Sequence, residues 1–151
     1  MKWVVDQAKF YSFMVACAAR TGQLLNATDI GNTVDVDRKT VKAWLSVLQA
    51  SNIVRIVEPF WPNVDKRLTK TPKIFFMDTG LVCHLTRWIT PEQLRNGAAA
   101  GHIFEAFVVS EILKSFMNAG KAFVMYGSIG IKRSAKSICS SKRVISYIPS
   151  R

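Results

Sequence analysis

Four cations fall within eight positions of "NVDKRLTKTPKIFFMDTGL", residues 63–81: Lys66, Arg67, Lys70 and Lys73. Cations this close can grip a nucleic-acid backbone by releasing its counterions, hold a single phosphate, or merely keep a hairpin solvated. A second set, Arg38, Lys39, Thr40 and Lys42, carries side-chain types that reach base edges and phosphates. Asp-Thr-Gly at 78–80 could form an aspartic-protease loop, in which two carboxylates share a proton. Such proteases are all-β, whereas this motif stands between helical regions with only two candidate strands nearby. Asp78 is instead expected at a strand end, satisfying the turn at Gly80. Glu105 and Glu111 are six residues apart on one helix, so they project from different faces and do not make a paired-carboxylate site. His84 and His102 are isolated and lack metal-ligand spacing. No GxxxxGK[ST] occurs, so no phosphate-cradling loop is expected. These residues suggest contact with an anion and give no catalytic residue, cofactor or metal.

The elements that must position the cations can be read from periodicity. Phe10, Phe13, Met14, Cys17 and Ala18 recur at helical spacing with Gly22 beyond the last turn, which predicts a helix over 6–21. Asn26 and Thr28 are capping types before a short helix, Asp29–Val34. Asp37 is a good N-cap for a third helix, whose Val41, Trp44, Leu45 and Leu48 form one apolar stripe. Arg38, Lys39, Lys42, Ser46 and Gln49 occupy its other face. Two β-rich runs follow, NIVRIVEPF and KIFFM, with Pro62, Asn63 and Pro72 punctuating the basic segment between them. Three helices and then a hairpin is the order of a winged helix-turn-helix, in which the third helix enters the major groove. The hairpin tip would meet phosphates through Lys66, Arg67, Lys70 and Lys73. The plainer alternative, a solvated helix face and a soluble connector, stays open at this point. A further helix, GHIFEAFVVSEILKSFMN, is expected to turn Ile103, Phe104, Phe107, Val108 and Ile112 inward and to end at Gly120.

Apolar residues make up 49% of the 151, enough for a packed core and against wholesale disorder. No apolar run approaches the length of a membrane span, and MKWVVDQAKFY lacks a signal-peptide core. Cys17, Cys83 and Cys139 are odd in number and form no CxxC pair, which suggests reduced thiols and a cytoplasmic location. The net charge of +11 is unevenly spread. All ten acids lie at or before Glu111, and residues 121–151 hold seven cations and no acid. Residues 1–120 therefore carry 14 cations against ten acids, a balance of only +4.

Four stretches, "FMVACAARTGQLLNATDI", "KTVKAWLSVLQASNIV", "EPFWPNVDKRLTKTPKIFFMDTGL" and "GHIFEAFVVSEILK", come in an order and spacing that point to a family. Over roughly residues 6–120 the chain resembles the C-terminal domain, of unassigned function, of prokaryotic AAA+-like P-loop ATPases. The resemblance implies a winged-helix part followed by a restriction-endonuclease-like part, without the ATPase that precedes them in the family. It makes Asp78, Gly80, Glu105 and Glu111 motif residues, and it makes the Glu105 helix the opening helix of a nuclease-like core. Such a core would continue into strands with Arg-Asp, Ile-Asp-x-Leu-Ile and Glu-x-Lys patterns, whose carboxylates could hold magnesium. Here the chain departs, having no acid after Glu111.

The departure is compatible with a shifted reading frame. If Ile129–Lys132 is encoded ATA-GGG-ATA-AAA, codons begun at the third base read Arg-Asp-Lys. If Ala135–Ser141 is encoded GCG-AAA-TCG-ATA-TGC-TCA-TCA, the same frame reads Glu-Ile-Asp-Met-Leu-Ile. A single-base change between Gly120 and Ile129 would then account for the acid-free tail and an early stop; a true basic extension is the alternative. The chain is thus expected to be α+β, with a winged helix-turn-helix at 1–81, the helical start of a truncated nuclease-like part at 82–120 and an aberrant basic tail at 121–151. Its expected partners are double-stranded DNA, or else an ATPase or a second copy of the chain, and no membrane. Leaving the nuclease-like helix poorly covered would expose Ile103, Phe104, Phe107 and Phe116.

Overall fold

Local caps set the helix starts. Asp6 accepts the Lys9 amide at 3.0 Å ahead of α1, Gln7–Ala18. Asn26 accepts the Thr28 and Asp29 amides, each at 3.1 Å, ahead of α2, Ala27–Val34. Asp37 accepts the Thr40 amide at 2.8 Å ahead of α3, Arg38–Ala50. Each cap satisfies amides that the first helical turn leaves without an intrahelical partner. The computed structural model describes residues 6–60, 71–119 and 126–128. The turn between α2 and α3 is short and tight. Asp35 takes a left-handed φ of 54°, the Val36 amide returns to the Gly31 carbonyl at 3.0 Å, and a Cβ at Gly31 would stand 2.6 Å from the Val36 oxygen. Only glycine fits there without backbone movement.

Strand β1, Val54–Phe60, pairs antiparallel with β2, Lys73–Phe76, placing Val54 opposite Phe76 and Val57 opposite Lys73. The outer edge of β2 is covered by residues 22–25: the Gly22 and Leu25 amides donate to the Ile74 and Pro72 carbonyls at 2.7 and 2.8 Å. A short β3, Tyr126–Ser128, runs parallel to β1, giving the order β2-β1-β3. The fold is therefore mixed α+β.

Two helices that periodicity did not reveal follow the hairpin. Asp78 accepts the Gly80 and Leu81 amides at 2.8 and 3.1 Å and caps α4, Thr79–Thr86. Thr90 and Gln93 form a reciprocal capping box, with Pro91 at the first position of α5, Pro91–Asn96. Helix α6, Ala100–Asn118, comes next. Its buried residues are Ile103, Ala106, Val109, Ser110 and Leu113, while Phe104 and Phe107 remain about half exposed. This corrects the expected inward face: of the residues expected inside, Ile103 alone is fully buried. The helix is apolar almost all round, and the small Ala106 and Ser110 let its backbone approach the sheet where two phenylalanines could not.

The hairpin separates two cores. Val54, Ile74 and Phe76 point to α1, α2, α3 and α4, joining Phe13, Cys17, Ile30, Val41, Leu45, Leu48, Val82 and Leu85. On the opposite face Val57, Phe75 and Met77 meet Ala106, Val109 and Leu113 of α6. Alternation along a strand produces this split, since successive side chains point to opposite sides. Helix α4 crosses the expected limit at residue 81, and Val82, Leu85 and Ile103 share a core with α1–α3. No described helix is long and apolar enough to cross a membrane.

Candidate nucleic-acid interface

Helix α3 is held by Val41, Leu45 and Leu48, each at most 4% exposed, with Trp44 set edge-on to Phe10 and Phe13 at centroid distances of 5.4 and 5.3 Å. Burial of each aliphatic side chain contributes about 1.5–3 kcal/mol, so the helix cannot rotate cheaply about its axis. Its solvent face is therefore defined. Arg38, Lys42 and Gln49 lie along that face and line an open groove of about 680 Å³. The far wall is Leu24 to Thr28, and Ile56, Thr71 and Pro72 close the hairpin side. The cations at 38 and 42 are one helical turn apart, so they stand side by side.

Neither meets an acid in the described structure. Arg38, Lys39 and Lys42 form no ion pair with any described residue, in contrast to Lys9, Arg20, Lys73 and Lys114. Lys39 is exposed but does not line the groove. Thr40 acts on the helix start instead, where its hydroxyl donates to Asp37 at 2.8 Å while its amide meets the other carboxylate oxygen. Those two hydrogen bonds, the backbone one first, hold the Asp37 carboxyl below its ordinary range.

The basic hairpin residues fare differently. Lys66, Arg67 and Lys70 lie outside the described residues. Lys73 lies on the face opposite Ile56 and Ile74, away from the groove. There its ammonium pairs with Glu105 of α6 at 2.8 Å and sits 5.9 Å from the Phe75 ring centroid. Nothing in the spacing of the sequence signalled that pair. Glu111 is also engaged, with Lys114 at 3.0 Å on an exposed surface. Asp78 and Gly80 belong to the start of α4. The structure thus brings Arg38 and Lys42 together and keeps Lys73 apart from them.

Other reactive groups are quiet. Burial pushes the Cys17 thiol up to about 12, so it is not a thiolate at neutral pH. Burial, then the nearby Asp78 charge, raises Cys83. Among the described residues no three His, Cys, Asp or Glu side chains are grouped to hold a metal ion. The expected tail of 121–151 is described only at 126–128, and the residues of the frame-shift reading lie outside the described set.

A family described as a domain of unknown function (DUF8612) matches residues 2–92, which include α1 to α4 and the hairpin. Two curated relatives are an uncharacterized protein of Mycobacterium bovis, Mb2031c, and one of Mycobacterium tuberculosis, Rv2008c. Each is 30% identical over 91 residues, or 60% of this chain and 21% of the relative. The chain spans about a fifth of the length of the curated relatives it matches. No solved structure gives a significant match.

Proposed function

The chain belongs to the DUF8612 family, a domain of unknown function, and we propose from the groove described above that it is a non-catalytic DNA-binding or regulatory module built as a winged helix-turn-helix. In this reading α2, the tight turn at Asp35 and α3 form the helix-turn-helix, and β1–β2 carries the wing. The long helix α6 opens a nuclease-like appendage, as in the C-terminal domains of AAA+-like ATPases that the sequence resembles. Arg38, Lys39 and Lys42 approach the major groove. Lys66, Arg67 and Lys70 contact phosphates, and Thr40 holds the helix start. One observation carries the reading: Arg38 and Lys42 project into one groove beside the hairpin without an ion-pair partner among the described residues. An unpaired cation releases a counterion on meeting a phosphate, whereas an already neutralised one does not.

Titration of duplex DNA at two salt concentrations tests this. Affinity should fall steeply with salt. Lys42→Ala and Arg38→Ala should each weaken binding and flatten the slope of log K against log salt by about 0.9 if phosphates are contacted. A base contact would instead cost about 1–3 kcal/mol and relax sequence preference. Absence of binding at low salt removes the proposal. A second reading, a protein-interaction or oligomerisation module with no DNA binding that docks on an ATPase or on another copy, draws on Phe104, Phe107 and Met117, which are 57%, 49% and 50% exposed on α6. Sedimentation of wild type against Phe104→Ser tests its self-association form, which a monomer in both cases ends.

A further inference from the structure

The groove beside α3 carries more than charge. Arg38, Lys42, Leu45 and Gln49 stand at i, i+4, i+7 and i+11, so a single stripe of α3 forms its inner wall. Leu24 on the far wall is 61% exposed, and Leu25, Ile56 and Pro72 line the same groove. No acid is among the described lining residues. Asp29 is engaged by Arg20 and Asp37 by Thr40, while Glu58, on the same side of β1 as Ile56, does not line the groove. We propose that this groove docks an acidic amphipathic helix of a partner protein, with carboxylates on Arg38 and Lys42 and apolar side chains on Leu24, Leu25, Ile56 and Pro72. The inference goes beyond the DNA-binding reading. Because both use Arg38 and Lys42, a docked helix and a duplex exclude each other there.

Charge complementarity calls for an acidic partner. A carboxylate placed on each of these cations forms an ion pair without displacing one already made among the described residues. The apolar wall calls for a protein segment rather than a bare phosphate chain. A sugar–phosphate backbone gains little from Leu24, whereas an apolar side chain laid on it removes both surfaces from water, at about 25 cal/mol per Å². The groove is open, so a small molecule in it would leave much of its surface in water, while a segment running along α3 covers it. Spacing calls for a helix. Arg38 and Lys42 are one turn apart, and acids at i and i+4 of a facing helix repeat at the same pitch. The walls are already held. The Gly22 and Leu25 amides are bonded to the Ile74 and Pro72 carbonyls, Asn26 caps α2, and Leu45 is only 4% exposed. Little ordering is left to oppose binding.

The probe is a capped, fluorescein-labelled helical peptide with leucines at i, i+3, i+4 and i+7 and two glutamates one turn apart. It is titrated into the full chain beside its glutamine counterpart. Wild type should bind the glutamate peptide about five- to tenfold more tightly than the glutamine one at low salt. Leu24→Ser should weaken the glutamate peptide about tenfold. It should not flatten the salt slope for duplex, since it removes no charge. Lys42→Glu should reverse the preference, losing the glutamate peptide and taking a lysine counterpart, and it tests the same groove if Leu24→Ser fails to fold. No saturable binding of the glutamate peptide at low salt overturns the docking proposal, whatever the duplex does. Equal affinity for the two peptides, a folded Leu24→Ser protein that binds as wild type does, or a Lys42→Glu protein that still prefers glutamate also overturns it. A chain that binds the peptide but no duplex keeps this site and removes the DNA reading; a chain that binds duplex alone does the reverse.

Discussion

The two faces of the β1–β2 hairpin use similar materials in opposite ways. On the front, α3 sends Arg38 and Lys42 into an open groove, and neither meets an acid among the described residues. On the back, Lys73 is equally cationic yet is closed onto Glu105 beside the apolar layer under α6. The front core is large and gathers α1 to α4 and Ile103 of α6 around Val54, Ile74 and Phe76, whereas the back core is α6 alone on Val57, Phe75 and Met77. Charge count alone therefore says little about binding. What matters is whether a cation is already neutralised inside the protein.

The largest expected effects test whether the two faces form one body. Phe76→Ala in the front core and Phe75→Ala in the back core should each destabilise by about 3–5 kcal/mol, since both side chains are at most 2% exposed. Urea unfolding followed by two probes checks this. A single lowered transition in both variants joins the faces. A separate early step in Phe75→Ala, with the main transition unmoved, would divide the molecule at the back layer.

Gly31→Ala should act on the front alone. Its new Cβ meets the Val36 carbonyl at 2.6 Å, so the α2–α3 turn must shift at a cost of about 1–3 kcal/mol. Duplex affinity should fall along with stability, because the turn sets where Arg38 and Lys42 stand. Retained affinity at full helicity would break the link between the turn and the groove.

Cap removal is smaller. Asn26→Ala on the front and Asp78→Ala after the hairpin should each cost about 1 kcal/mol, read as a shift in the urea midpoint. The smallest effect concerns acid. The folded state lowers the Asp37 carboxyl, so its ionised form favours folding above the ordinary carboxylate range, and that contribution is lost as pH falls through the lowered value. Asp37→Asn keeps a cap acceptor without the titration, so its stability should change less than that of wild type across the acid range. Identical acid profiles would show that Asp37 contributes nothing to the pH dependence.

Features that depend on a few neighbouring residues were legible in the chain. Asn26 and Asp37 were readable as caps, and Val41, Leu45 and Leu48 as one buried stripe, because a cap spans three residues and a stripe follows helical geometry. The starts of α4 and α5 carried similar signals in Asp78 and in Thr90-Pro91-Glu92-Gln93, but both helices are too short to display a convincing apolar period. Helix α6 misled for the opposite reason: with apolar residues on nearly every side, its sequence does not distinguish Phe104 and Phe107 from Ile103 and Val109.

The candidate site divides along the same line. By itself the sequence determined that the molecule is α+β, that cations gather on α3 and between the two β-rich runs, and that the third helix begins from its Asp37 cap; the second was expected from Asp29 but begins at Ala27. These follow from local hydrogen bonding and from the periods of strand and helix. Only the tertiary structure decided that Arg38 and Lys42 share a groove while Lys73 faces away to Glu105, 32 residues distant. Strand alternation splits neighbouring residues between two faces, but which face receives a helix, and which acid that helix brings, depends on packing between distant segments.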